Sequence, residues 1–336
     1  MNSTRLVRLV TLAAVAVLGF VTPYVASVNV QSVLTTALFY AYLATCWNLT
    51  GAFGGRLSLG HAIFVGIGAY TSTLLFIMAG ISPWLGMFAG VVLAAVAGAF
   101  IGWIASRYRL EGIFFAMVTL AFTLLAAQLV SNIDYLGGAR GLLVPLSQKG
   151  VADFQFVSTK PYLMIAAVMV MLVLLLTWWV RGQRIGKWIA AVGVNERAAQ
   201  ASGLNPTAIS ALGMALSGGM SAFGGTFYAQ QNLFVDPPSL LDWSFSLAIL
   251  LPAIIGGRSR PEGPLVGALI LIPMEEILRQ NANPGYAGVL RGLILIVVVI
   301  AFSGGVLPAL AKGWRRLRRR PAPGAEESRK ELLDAA

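Results

Sequence analysis

Charge is what this sequence has least of. Asp, Glu, Lys and Arg together make up 11% of its 336 residues. A soluble fold of this length needs ionised side chains over most of its surface, so a water-soluble globular domain is excluded. Histidine and cysteine are nearly absent as well, with one of each, His61 and Cys46. One cysteine inside an apolar run excludes an intrachain disulfide and a cysteine metal cluster, and one histidine excludes a histidine-rich metal site. A nucleotide site is missing too. The nearest stretch, Gly182-Gln183-Arg184-Ile185-Gly186-Lys187-Trp188, is one spacer short of a phosphate loop and lacks its Ser or Thr. The alternating apolar and polar segments of a membrane barrel are also absent.

What is present is apolar sequence in blocks about twenty residues long, each able to cross roughly 30 Å of hydrocarbon as a helix. The fold class is therefore an all-α polytopic membrane protein. Spans are expected at 9–27, 30–50, 58–79, 84–106, 112–133, 161–180, 206–230, 242–257, 264–280 and 286–308, about ten in all. They form one transmembrane domain over 1–311. With the N-terminus inside, nineteen Lys and Arg fall in inside segments and four outside. That asymmetry puts both termini in the cytoplasm. Net charge is +11, but placed this way it reads as topology rather than as a nucleic-acid surface. Residues 242–280 read either as two short spans or as a re-entrant pair. Arg5, Arg8 and the small residues Val25-Ala26-Ser27 also fit a signal peptide, although the length of the first apolar run favours a retained span. Residues 312–336 read as a basic anchor with Trp314 in the headgroup layer, followed by a solvated tail.

Small residues every fourth position mark faces where membrane helices approach closely. Gly86, Gly90, Ala94, Gly98 and Gly102 make one such row, and Gly213, Ser217, Ser221 and Gly225 another. Both are read as helix packing. The stretch 51–70 differs, carrying six glycines beside Arg56, Ser58 and His61. Gly54, Gly55, Ser58, Gly60, His61, Gly66 and Gly68 there mark either a helix break lining the pathway or a tight cytoplasmic turn. His61 is read as a cap or a partner for neighbouring backbone, and Glu275 and Glu276 as helix partners of Arg279.

The longest inside loop, 181–205, places Trp188, Ile189, Val192 and Ala199 at near-helical spacing, with Glu196 and Arg197 presented between them. Gly203 ends that helix, and Asn205 before Pro206 opens the next span. A helix lying there either packs on the membrane face or docks into another protein. Catalytic chemistry is not expected. The one enzyme reading left is an intramembrane serine protease pairing Ser217 or Ser221 with His61, and the packing row accounts for both serines.

The segment GGRLSLGHAIFVGIGAY at 54–70 resembles the hallmark of branched-chain amino acid ABC transporter permeases of the LivM type. Gly137, Gly138, Gly141, Leu142 and Pro145 resemble that family's glycine-rich outside segment. NERAAQASGLNPTAISALGMALSGGMSAFGGTFYAQ at 195–230 resembles its coupling loop and following span, and Gly256, Gly257, Gly263, Pro264, Gly267 and Ala268 its late glycine pattern. The resemblance covers about residues 50–280. It implies a fold similar to the vitamin B12 and ribose importers, with two inverted halves. It implies that Glu196, Arg197, Ala198, Ala199 and Gly203 contact an ATPase. The implied partners are two ATPase subunits that bind the ATP, a second permease of the LivH type and a soluble extracytoplasmic substrate-binding protein, all at a bacterial inner membrane. This chain itself would hold no cofactor and no metal. Ala139-Arg140 and Arg258-Ser259-Arg260 depart from the family pattern, which bears on the cargo: relatives of this fold carry urea, amides and aromatic acids besides leucine, isoleucine and valine. The rival class is a stand-alone secondary transporter or channel, against which the scarcity of intramembrane acids argues.

Overall fold

The computed structural model describes residues 3–51, 54–110, 112–147, 150–258 and 260–281, together with Gly292 and Gly305. In chain order the helices are α1 (Ser3–Phe20), α2 (Thr22–Val25), α3 (Val28–Gly51), α4 (Ala62–Ala79), α5 (Pro83–Arg107), α6 (Ile113–Ser131), α7 (Thr159–Gly182), α8 (Arg184–Val194), α9 (Glu196–Ala201), α10 (Pro206–Asn232), α11 (Pro237–Leu240), α12 (Trp243–Gly256) and α13 (Gly263–Asn281). Two short strands, β1 (Leu142–Leu143) and β2 (Phe234–Val235), pair antiparallel and tie the loop after α6 to the end of α10. Among the described residues, six helical stretches are long and apolar enough to cross a membrane, at Arg5–Val25, Ala62–Ala79, Pro83–Arg107, Ile113–Ser131, Thr159–Gly182 and Pro237–Gly256. Helices α3 and α10, with 24 and 27 residues, have the length as well but interleave Thr, Asn, Ser and Gly. The chain is a multi-pass membrane protein.

Two expected boundaries shift for identifiable reasons. The first span does not run unbroken over 9–27, because α1 stops at Phe20 and Pro23 opens the separate turn α2. A proline in mid-helix would remove a hydrogen bond and clash with the preceding turn. The span expected to begin at residue 58 begins at Ala62 instead, and 54–61 is irregular backbone. The expected span 286–308 and the tail 312–336 lie outside the described residues except for Gly292 and Gly305, as does the Arg279 side chain named as partner of Glu275 and Glu276.

Helix α3 is buried along most of its length, from Thr35 to Gly51 on nearly every face, with α7, α10, α12 and α13 packed around it, while α4, α5 and α10 pack on one another. The α5 glycines show how close that packing is. A Cβ built on Gly98 would stand 2.5 Å from the Met214 carbonyl oxygen, and one on Gly102 2.7 Å from that of Ser210, both on α10. Gly86 and Gly90 face Ser72 and Gly68 of α4. The opposite face of α5 is a stripe of Leu85, Phe88, Val92, Val96, Phe100 and Trp103, all exposed. A helix that buries its glycines and exposes its large apolar side chains is built for lipid, where close backbone approach replaces water exclusion as the driving force.

The second small-residue row is not one face. Gly213 touches Ile189 of α8 at ordinary distance, and Gly225 abuts Val65 of α4. Ser217 and Ser221 hydrogen-bond instead of merely packing. The surface α10 turns to α5 runs through Ala211, Met214, Ala215, Gly218 and Gly219, about one position round from the expected row. The late glycines close a third contact. A Cβ on Gly256 would lie 1.7 Å from the Gly263 carbonyl oxygen, and one on Gly267 1.9 Å from that of Pro252, so α12 and α13 meet backbone to backbone.

Gly225→Ala would place its Cβ 2.0 Å from the Val65 carbonyl oxygen, whereas Gly182→Ala meets nothing within 4 Å. Overpacking of this kind costs about 1–3 kcal/mol. Thermal unfolding in detergent should therefore show a lowered midpoint for Gly225→Ala and a parental one for Gly182→Ala. Equal midpoints would show that the α4–α10 contact does not limit stability.

Candidate functional site

Non-helical backbone inside a membrane bundle must have its amides and carbonyls met by protein groups. Side chains from three helices supply such partners to segment 58–60 and to Ala62 just after it. The indole Nε1 of Trp47, on α3, donates to the Ser58 carbonyl at 2.8 Å. From α6, Thr119 Oγ1 accepts from the Leu59 amide at 3.1 Å and Thr123 Oγ1 donates to the Gly60 carbonyl at 3.2 Å. Ser246, on α12, accepts from the amide of Ala62 at 3.2 Å. Thr119 lies about 9 Å along α6 from Ile113, at 1.5 Å per residue, so the segment dips into the bundle. Gly60 has to be glycine there, since a Cβ would stand 2.1 Å from the Thr119 carbonyl oxygen.

At the bottom of this dip lies a closed polar cluster. His61 Nδ1 is 3.1 Å from Ser58 Oγ, and its Nε2 is 2.7 Å from Ser217 Oγ. Ser217 in turn donates to the Cys46 carbonyl at 2.8 Å. Ser58, His61 and Ser217 are all essentially without solvent exposure. One set of protons satisfies every contact. Ser217 spends its hydrogen on Cys46, so its oxygen accepts from Nε2–H. Nδ1 then accepts from the Ser58 hydroxyl, whose oxygen accepts from the Gly60 amide at 3.3 Å. His61 thus bonds hydroxyls rather than the backbone expected for it.

The serine–histidine pairing weighed in the sequence does form, through Ser217 and not Ser221, which donates to the Ser217 carbonyl. Its polarity is wrong for nucleophilic catalysis. A general base must receive the serine proton and be oriented by a third group, in most cases a carboxylate. Here the proton goes to a main-chain carbonyl and the far ring nitrogen faces a serine. The cluster joins α3, the 54–61 segment and α10 as a strut.

The glycine segment does not act as one lining. Gly66 faces Leu241 and Gly68 faces the Ala222 carbonyl of α10, at 2.1 Å from a Cβ position. Gly54 faces the Thr50 carbonyl of α3, whereas Gly55 turns toward α8, where a Cβ on it would stand 2.3 Å from the Gly193 carbonyl oxygen. They border a polar cleft of about 410 Å³ with Arg56, Asn195, Glu196 and Arg197.

Loop 181–205 forms two helices rather than one. The chain breaks at Asn195, whose side chain accepts from the Ala198 amide and caps α9. Gly203 takes a left-handed φ of 83°, and the Leu204 amide returns to the Ala199 carbonyl, closing the helix end. Asn205 accepts from the amides of Thr207 and Ala208 at the start of α10. Ile189, Val192 and Ala199 are buried with Ile209, which anchors the pair to the bundle. Of the five residues singled out, Arg197, Ala198 and Gly203 are exposed, Ala199 is buried, and Glu196 is turned inward. Glu196 pairs with Arg56 at 3.0 Å and accepts from Ser106 at 2.9 Å. Neither partner was legible, because nothing local in the sequence links positions 56, 106 and 196. Outward, α8 and α9 present Trp188 and Val194 and a shallow groove of about 580 Å³ lined by Ala190, Ala191, Val194, Ala198 and Ser202 among others.

A family profile described as "Branched-chain amino acid transport system / permease component" matches residues 29–299. The chain is 25% identical over 320 residues to the high-affinity branched-chain amino acid transport system permease protein LivM of Escherichia coli K12, covering 88% of this chain and 74% of that one. It is 23% identical over 287 residues to the corresponding LivH protein of Salmonella typhimurium, covering 82% and 92%. Over a shorter stretch, 39% of this chain and 42% of the relative, it is 29% identical to the ribose import permease protein RbsC of Haemophilus influenzae. No solved structure matches the chain.

His61→Ala would leave the hydroxyls of Ser58 and Ser217 without their shared partner in a fully buried site. Such losses cost about 1–3 kcal/mol per orphaned group. The variant should insert but unfold at a clearly lower temperature in detergent, and His61→Gln, which keeps a donor and an acceptor, should recover part of the loss. A parental midpoint for His61→Ala would rule out the strut.

Proposed function

The chain belongs to the family of branched-chain amino acid transport permease components, and we propose that it serves as a membrane-spanning subunit of an ATP-binding-cassette importer. The observation that carries this reading is the α8–α9 pair. It lies at the end of the bundle, is anchored from behind by Ile189, Val192 and Ala199, and offers a partner the exposed Trp188, Val194, Arg197 and Ala198. On this reading an ATPase subunit docks there through Arg197, Ala198 and the turn at Gly203, and ATP is bound by that subunit alone. Glu196 and Ala199 support the surface from within.

The cargo is a branched-chain amino acid or a related small polar solute, as the names of the LivM and LivH relatives suggest. Similarity to both kinds of relative supports a pathway formed between this chain and a second permease of the LivH type. A soluble extracytoplasmic protein delivers the solute, and two ATPase subunits drive alternating access through differential affinity for inward- and outward-open states. The arrangement has ten spans in two inverted halves within a single domain over 1–311. Both termini and the basic tail 312–336 are cytoplasmic, at a bacterial inner membrane. No chemistry is done on the cargo.

Co-purification from the native membrane tests this reading. An ATPase and a permease partner should accompany the wild-type chain. Ala198→Trp, which fills the groove, should lower the recovered ATPase about tenfold, the loss expected for roughly 1.4 kcal/mol of interface energy, while leaving insertion intact. The proposal fails if the chain alone, in vesicles, concentrates leucine on an ion gradient.

A further inference from the structure

Glu196 occupies a docking segment, yet its carboxylate is held from inside the bundle. Arg56 Nη2 lies 3.0 Å from one oxygen and Ser106 Oγ 2.9 Å from the other. The two charged side chains are only 14% and 18% exposed, and the guanidinium also lies over the Phe115 ring of α6 at 5.6 Å. Charge-assisted hydrogen bonds of this kind are short and geometrically specific, so they fix the position of one side chain relative to the other. Beside the pair, Gly54 and Gly55 abut Gly193 with no room for a Cβ on either side. The last turn of α8 and the 54–56 backbone are therefore in direct contact.

Arg56 stands two residues before Ser58 and five before His61, whose ring reaches Ser217 about 16 Å along α10 from Pro206. The chain thus offers a continuous route of hydrogen bonds and close backbone contacts from the surface helices to the interior strut.

We propose that the Arg56–Glu196 pair is a positioning link. It carries displacement of α8 and α9 into the 54–61 segment and on to the His61–Ser217 cluster, and Glu196 acts through Arg56 rather than by touching the ATPase. This inference rests on the importer reading given above.

The test uses the complete transporter, reconstituted with the ATPase subunits, permease partner and binding protein that co-purify with it. Leucine uptake and ATP hydrolysis are read on the same vesicles for Arg56→Gln, Glu196→Gln and the double variant. Each single change should lower uptake per ATP hydrolysed several-fold while the ATPase co-purifies at wild-type yield. The double variant should be no worse than the poorer single, because one link is broken only once. Arg56→Lys, which keeps the charge without the fork, should fall between wild type and Arg56→Gln, and it serves as the deciding variant if the glutamine forms fail to insert. A wild-type ratio in the singles or in Arg56→Lys would overturn the link, as would losses that add in the double. Loss of ATPase from Glu196→Gln would overturn it as well, by making Glu196 a direct contact. That last result would leave the importer reading standing, whereas a wild-type complex without any ATPase would remove the importer reading itself.

Discussion

A peptide group in the interior of a lipid-embedded bundle has no water to turn to, and residues 54–61 run non-helical there. The rest of the architecture follows from supplying partners to that stretch. Trp47, Thr119, Thr123 and Ser246 carry hydrogen-bonding groups, and each serves a backbone group in or next to the segment. The cost of this design is placement. Those helices must stand at fixed rotation and height for the bonds to close, which ties α3, α6 and α12 to one another through a loop that touches them all.

Glycine supplies the other half of the framework. Where α4, α5 and α10 cross, and again between α12 and α13, the contacts are backbone to backbone. Bundles packed this way gain little from side-chain volume and much from shape, so their fit is intolerant of added atoms. The same helices then spend their bulky residues outward, as the α5 stripe from Leu85 to Trp103 shows.

Much of this was legible in the sequence. The cores of nine of the expected spans coincide with described helices, because runs of apolar residues and the cap Asn205-Pro206 are local signals. The α5 glycine row was legible for the same reason. Rotation was not. The α10 row has the right spacing, yet α10 turns a neighbouring line of residues to α5, since Ser217 is drawn toward His61 by hydrogen bonds that a pattern of small residues cannot reveal. Likewise Glu196 stands in a motif that marks a partner-facing loop, while its ion pair with a residue 140 positions away faces inward. Long-range polar pairings leave no periodic trace. The break at Asn195 was hidden by the continuing apolar spacing on either side of it, although asparagine is a residue that caps helices.

Cys46 lies toward the C-terminal end of α3 with no exposed surface. A thiol so enclosed is out of reach of maleimides and methanethiosulfonates as long as the bundle stays folded. Cysteines placed singly on α8, α9 or the lipid-facing side of α5 can therefore carry spin labels or fluorophores in the native background, with the chain's own thiol left untouched.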